Sequence, residues 1–197
     1  MASQPPDDDG TPVPNYRRYR DEGATYFFTL VADGRQTFLC HDDFRALLRR
    51  LLIECRKRWT FTLDAIVLLP DHLHTLWTLP EGDSRYSMRW AWIKKEFTKG
   101  WLSLGHKERP VSPGRQHKRQ HGVLQPRFWE HLIRDDADFE THADYTHYNP
   151  VKHGYVSAVK DWPWSTFHQW VKKGIYPEDW GIGVGERIGS VRDTVGE

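Results

Sequence analysis

Val67-Leu68-Leu69-Pro70-Asp71-His72-Leu73-His74-Thr75-Leu76-Trp77 is the stretch from which the fold of this chain can be read. Apolar residues lie on both sides of Pro70-Asp71, so the run reads as two short strands joined by a turn at that pair. Side chains of a strand alternate faces with period two. His72 and His74 therefore project from one face, while Leu73 faces the opposite layer. Two imidazoles on one face of a rigid strand are a preorganised half of a metal site. Surface or hydrogen-bonded histidines fall at the same spacing, so the reading turns on a second segment far downstream.

That segment is Asp144-Tyr145-Thr146-His147-Tyr148-Asn149-Pro150-Val151-Lys152-His153-Gly154. Asp135, Asp136 and Asp138 ahead of it supply N-cap and first-turn acids for a helix. Pro150 disfavours helical geometry at Asn149, which predicts a helix over 138–149. Tyr145 and Asn149 are four apart and share a face. A tyrosine that can attack phosphorus, with a carbonyl ligand one turn on, completes the histidine pair as a metal-assisted nucleophilic site. Tyr148 competes for the nucleophile's role from about 60° around the helix. Tyr145 is preferred for its spacing to Asn149. His147, on another face, reads as structural or DNA-contacting, and Asn149 is also an ordinary residue for a helix C-terminus.

Residues 25–31 read as a first strand and 42–59 as a helix with Phe44, Leu47, Leu48, Leu51, Leu52 and Cys55 as its apolar stripe. Residues 61–69 and 72–78 are the strand pair around Pro70-Asp71. A second helix over 84–102 turns Trp90, Ile93, Phe97 and Trp101 inward and Lys94, Lys95 and Lys99 elsewhere. Residues 105–122 lack apolar periodicity and read as a basic loop insertion, and 128–134 as a last strand. Strand, helix, strand, strand, helix, strand is the order of an α+β ferredoxin-like or RRM-like sandwich, with a central antiparallel sheet and both helices on one face. One domain is expected over 15–184, between a disordered tail at 1–14 and a mobile one at 185–197.

Aromatic residues make up 14 % of the chain and include ten tryptophans, more than a core of 197 residues needs. Surface aromatics would suit stacking on unpaired bases, although most tryptophans simply pack. The net charge of +1 argues against a DNA-binding protein, but its distribution argues for one. Between Arg85 and Arg127 there are eleven Lys or Arg and two acids, whereas 128–147 carries an acidic excess. A basic block beside an acidic, metal-neutralised one suits a phosphodiester enzyme, and a solvated helix face is the ordinary alternative. Cys40 and Cys55 give neither a disulfide framework nor a zinc spacing. No run approaches a membrane span and no signal peptide is evident, so a soluble, cytoplasmic, nucleoid-associated protein is expected.

Further segments narrow the reading. Asn15-Tyr16-Arg17-Arg18-Tyr19-Arg20 leads into the first strand, and Gln125-Pro126-Arg127-Phe128-Trp129-Glu130-His131 precedes the tyrosine helix. Asn149-Pro150-Val151-Lys152-His153-Gly154-Tyr155-Val156 and Asp161-Trp162-Pro163-Trp164-Ser165-Thr166-Phe167 follow it. With the His72-Leu73-His74 and Tyr145 segments, these resemble the HUH single-tyrosine transposases. Within that group they are similar to its bacterial REP-associated branch, in the same order from about Tyr16 to Trp180.

The resemblance implies an HUH nuclease fold in which an extra helix carries Tyr145 against the other part of the sheet, opposite the histidines. It implies a divalent cation, Mg²⁺ or Mn²⁺, held by His72, His74 and the Asn149 side-chain oxygen. Tyr145 would then become joined to a 5′ phosphate and release a 3′ hydroxyl, with no nucleotide cofactor. Asn149 departs from the glutamine of the broader group but suits the REP-associated branch. The implied substrate is a single-stranded DNA hairpin from short repeated palindromes, with a guide sequence at its foot, engaged by a monomer or homodimer. Arg17, Arg18, Arg20, Lys94, Lys95, Lys99 and Arg127 are candidate contacts. The rival readings are a non-catalytic hairpin-binding module and a plasmid-type replication initiator nuclease; the first is disfavoured by the presence of both half-sites, the second by the lack of a helicase or second domain.

Overall fold

A computed structural model of the chain describes residues 20–181. The candidate contacts Arg17 and Arg18, and the tails expected at 1–14 and 185–197, lie outside the described residues. Four strands, β1 (Thr25–Val31), β2 (Thr62–Leu68), β3 (His72–Thr78) and β4 (Trp129–Leu132), form one antiparallel sheet in the order β2-β3-β1-β4. That is the ferredoxin-like order the sequence predicts. The β2–β3 connection is the tight turn at Pro70-Asp71, closed by Leu69 N–H donating to the His72 carbonyl at 2.8 Å.

Helices α1 (Asp42–Arg58) and α2 (Tyr86–Ser103) pack against each other over one face of the sheet. The α1 stripe is buried as its periodicity requires, and Trp90, Ile93, Phe97 and Trp101 of α2 are buried with it. Leu73 and Trp77 of β3 point into this layer, where Trp77 stacks on Trp90 with ring centroids 4.2 Å apart. Each such side chain withdrawn from water contributes about 1.5–3 kcal/mol. Arg89 is buried too, its guanidinium held by Asp83 (2.8 Å) and by the Thr60 carbonyl (2.9 Å). Of the ten tryptophans, Trp77, Trp90, Trp101 and Trp162 are buried and the other six are half-buried.

The opposite face carries α4 (Asp136–Lys152), laid over β2 and β3. Asp135 caps it by accepting from Asp138 N–H at 2.8 Å. The helix does not stop at Asn149 but runs through Pro150 to Lys152. In the last turn proline removes only one backbone donor, and the true stop is Gly154 at φ 72°. There Gly154 N–H reaches the Val151 carbonyl (2.9 Å) and Tyr155 N–H the Pro150 carbonyl (2.9 Å), the paired bonds of a Schellman cap.

The insertion over 105–122 is more ordered than its composition suggests. It contains α3 (Pro113–His117), capped by Ser112, and Arg115 anchors it to Asp33 of the core at 2.9 Å. Arg109 N–H pairs with the Gly122 carbonyl at 3.0 Å to close its stem. A Cβ on Gly122 would sit 2.1 Å from the Arg109 carbonyl oxygen, so only glycine fits there. After α4 come a 3-10 turn (Val159–Asp161) and α5 (Phe167–Lys172). Among the described residues no helix is long and apolar enough to cross a membrane.

Candidate active site

The register of β1 against β3 arranges the histidines. Thr29 lies directly opposite His74 and Val31 opposite His72. Thr29 Oγ1 meets His74 Nδ1 at 3.0 Å. From the turn, Asp71 Oδ1 meets His72 Nδ1 at 2.7 Å, and Arg35 donates to the other carboxylate oxygen at 3.0 Å. Burial pulls the Asp71 carboxyl up, but the bonds and charges of His72 and Arg35 outweigh it and hold the group below the usual carboxylate range. Both rings are thus fixed through Nδ1, and Nε2 is the nitrogen each would offer a cation. A carboxylate or hydroxyl behind the ring is the usual support of a ligating histidine. The two buried rings lie 4.9 Å apart at 78°.

Tyr145 approaches from α4. Its ring centroid is 5.3 Å from that of His74, and Phe27 of β1 packs edge-on at 6.1 Å. Lys152 Nζ donates to the Tyr145 hydroxyl at 2.7 Å and lies 4.6 Å from its ring centroid. Tyr145 is fully buried, with the half-buried Lys152 arm over it. Asn149 is fully buried one turn on. The structure therefore brings one face of β3 and the Tyr145–Asn149 face of α4 together, as the two sequence segments predict.

Sequence reasoning missed three neighbours of this site. Lys152 is seven residues after Tyr145, two turns on the same face, a spacing hidden by the expectation that Pro150 ends the helix. Asp71 reads as a turn residue in the sequence, yet a carboxylate just before a ligand-type histidine is a signal in itself. His153, exposed, sits with its ring 5.3 Å from that of His72.

Tyr148 of α4 is half-buried and packs, like Trp170 and Trp180, against the cluster of Phe27, Ala65, Leu76 and Tyr145, beside Gly181. His147 is buried against Thr166 Oγ1 at 3.0 Å, and desolvation pushes its pKa down to about 3, so it is a neutral structural residue. Thr166 in turn bonds Ile66 N–H at 2.9 Å, tying α4 to β2.

The candidate DNA contacts are scattered. Arg20, Lys95, Lys99 and Arg127 are exposed. Lys94 instead holds the Gln125 and Pro126 carbonyls, the latter at 2.8 Å. Lys94, Lys95 and Lys99 line a cleft of about 810 Å³ between α2 and the insertion, with Arg119 on its far wall.

A His-x-His strand faced by a helical tyrosine across a β2-β3-β1-β4 antiparallel sheet is the arrangement of the HUH class. No family model matches the chain. It is 47 % identical over 170 residues to a Haemophilus influenzae protein assigned as a REP-associated tyrosine transposase, covering 85 % of this chain and 93 % of that one. It is 43 % identical over 178 residues to the REP-associated tyrosine transposase of Escherichia coli, covering 88 % and 97 %. Among solved structures, a REP-associated tyrosine transposase bound to a REP hairpin superposes with a TM-score of 0.73 at 42 % identity, covering 86 % of this chain and 92 % of that one. The chain belongs to the REP-associated tyrosine transposases.

Proposed function

We propose that this protein nicks and rejoins single-stranded DNA at hairpins of short repeated palindromes, with Tyr145 as the nucleophile and a divalent cation at His72, His74 and Asn149. The observation that carries the reading is the placement of the Tyr145 ring 5.3 Å from that of His74, with its hydroxyl held by Lys152. The hairpin bound to the solved relative, at 42 % identity, supports the substrate class.

The donor set fits such an ion. Two imidazoles backed by Asp71 and Thr29, with an amide oxygen from α4, suit Mn²⁺, and Mg²⁺ can use the same ligands while keeping waters. When bound, the ion supplies Lewis acidity toward a phosphate oxygen. The chain's own residues do the rest. The Tyr145 hydroxyl oxygen attacks phosphorus, an O–P bond forms, and the bond to the 3′ oxygen breaks. The phenol proton leaves to water, and the departing 3′ oxygen takes one up. The 5′ phosphate stays on Tyr145, and reversal with another 3′ hydroxyl rejoins the strand, so no nucleotide cofactor is consumed.

A tyrosine hydroxyl with an ordinary pKa of about 10 needs help to lose its proton. The Lys152 ammonium gives that help by donating to the oxygen as it becomes an anion.

The test is a labelled single-stranded hairpin oligonucleotide incubated with the full chain. Cutting is expected with Mn²⁺ or Mg²⁺, and none in EDTA or with His74→Ala. Undiminished cutting in EDTA contradicts the cation's role.

A further inference from the structure

A second group of ligand-type side chains lies one helical turn before Tyr145, outside the site just described. His131 of β4, and Asp138 and His142 of α4, each place one ligand-type atom within 4.8 Å of the others. His131 Nε2 is 2.9 Å from Asp138 Oδ2, and His142 Nδ1 is 3.0 Å from Asp138 Oδ1. The two imidazole rings are stacked 4.4 Å apart at 15°. Asp138 and His142 are buried, and His131 is only partly open to solvent. Phe27 separates this group from the first site, its ring 5.0 Å from His142 and 5.3 Å from His74.

We propose that His131, Asp138 and His142 form a second cation site, of the zinc type, that fastens β4 to the first turns of the helix carrying Tyr145. Two imidazole nitrogens and one carboxylate oxygen are a common three-ligand set for Zn²⁺ and leave a fourth position for water. His142 Nδ1 also donates to the Asp138 carbonyl at 2.9 Å, so a ring that ligates through Nδ1 carries its proton on Nε2 instead.

Arg134 is the opposing charge. Its guanidinium bonds Asp138 Oδ2 at 3.1 Å, the oxygen that His131 also meets, but its side chain is 74 % exposed and it leaves Oδ1 to His142. The ion would join strand and helix where the His131–Asp138 bond and the His131–His142 ring stack now bridge them. The turn it fixes precedes the one from which Tyr145 projects toward His74.

The test is metal stoichiometry on the full chain, stripped with chelator and dialysed against Co²⁺ or Zn²⁺ at micromolar concentration. The variants are His72→Ala/His74→Ala and His131→Ala/His142→Ala, each checked for fold by circular dichroism. His131→Ala alone is the milder change should the second pair unfold. The first variant is expected to keep one equivalent of Zn²⁺, a tetrahedral Co²⁺ absorption spectrum, and a rise of several degrees in melting temperature on adding Zn²⁺. His131→Ala added to that variant is expected to lose all three. If the first variant binds no metal, or if adding His131→Ala to it changes neither binding nor melting, the trio is a hydrogen-bonded latch and the proposal fails. Neither result depends on DNA cleavage, so this site and the nuclease reading stand or fall separately.

Discussion

Lys152 Nζ lies 2.7 Å from the Tyr145 hydroxyl, from the last residue of the same helix. The contact exists because α4 runs through Pro150, which leaves the two residues two turns apart on one face.

Lys152→Ala removes the donor that holds the attacking oxygen. Loss of one preorganised donor to a developing anion costs roughly 10²–10³ in rate. A fall of that size in single-turnover hairpin cleavage is expected, with hairpin affinity nearly unchanged, and Lys152→Arg should recover part of the rate. Cleavage by Lys152→Ala at the parental rate would reduce the contact to packing.

Asp71 acts through His72. Asp71→Asn keeps the size of the side chain but weakens the bond that orients the ring, and such supports are worth about 10–100-fold in metal affinity. The variant is expected to need that much more Mn²⁺ for half-maximal cleavage while reaching a similar rate at saturation. An unchanged Mn²⁺ requirement would show that the ring is held by its surroundings alone.

How much could be read in advance followed from period and punctuation. Alternation placed His72 and His74 on one face, and the helical stripe from Phe44 to Cys55 placed α1, because burial imposes those periods directly. The tyrosine helix was legible at its start, where Asp135 caps it. It was misjudged at its end, because proline is a strong local signal and the Gly154 cap that overrides it depends on bonds back to Pro150 and Val151. Arg89 counted as one more charge in a basic block, yet it is buried with Asp83, and composition cannot separate those cases. The order within 105–122 rests on an ion pair to Asp33, 82 residues distant in sequence, which no local pattern records. His131, Asp138 and His142 come from two elements and converge only once β4 pairs with β1.

The Asp83–Arg89 pair should dominate one part of the stability profile. Hydrogen bonding from Arg89, more than any other cause, holds the Asp83 carboxyl far below its ordinary range. Its contribution is therefore complete above the unfolded pKa of about 3.9 and is lost as pH falls below that value. Removing one partner leaves a buried charge alone, which costs about 3–5 kcal/mol. Asp83→Ala is expected to lose that amount in urea unfolding at pH 7 and to show a shallower decline than the parent below pH 4. Equal stability of the two proteins at pH 7 would contradict the assignment.

The proposed nucleophile, Tyr145, forms the covalent bond to DNA. Tyr145→Phe removes one oxygen and keeps the ring against Phe27 and His74, so the fold and hairpin binding should persist. The direct measurement is denaturing gel electrophoresis of the full chain with labelled hairpin DNA and Mn²⁺, followed by mass spectrometry of the adducted peptide. A protein–DNA adduct at Tyr145 is expected in the parent and in Tyr148→Phe, and none in Tyr145→Phe. An adduct mapped to Tyr148, or undiminished cleavage by Tyr145→Phe, would contradict it.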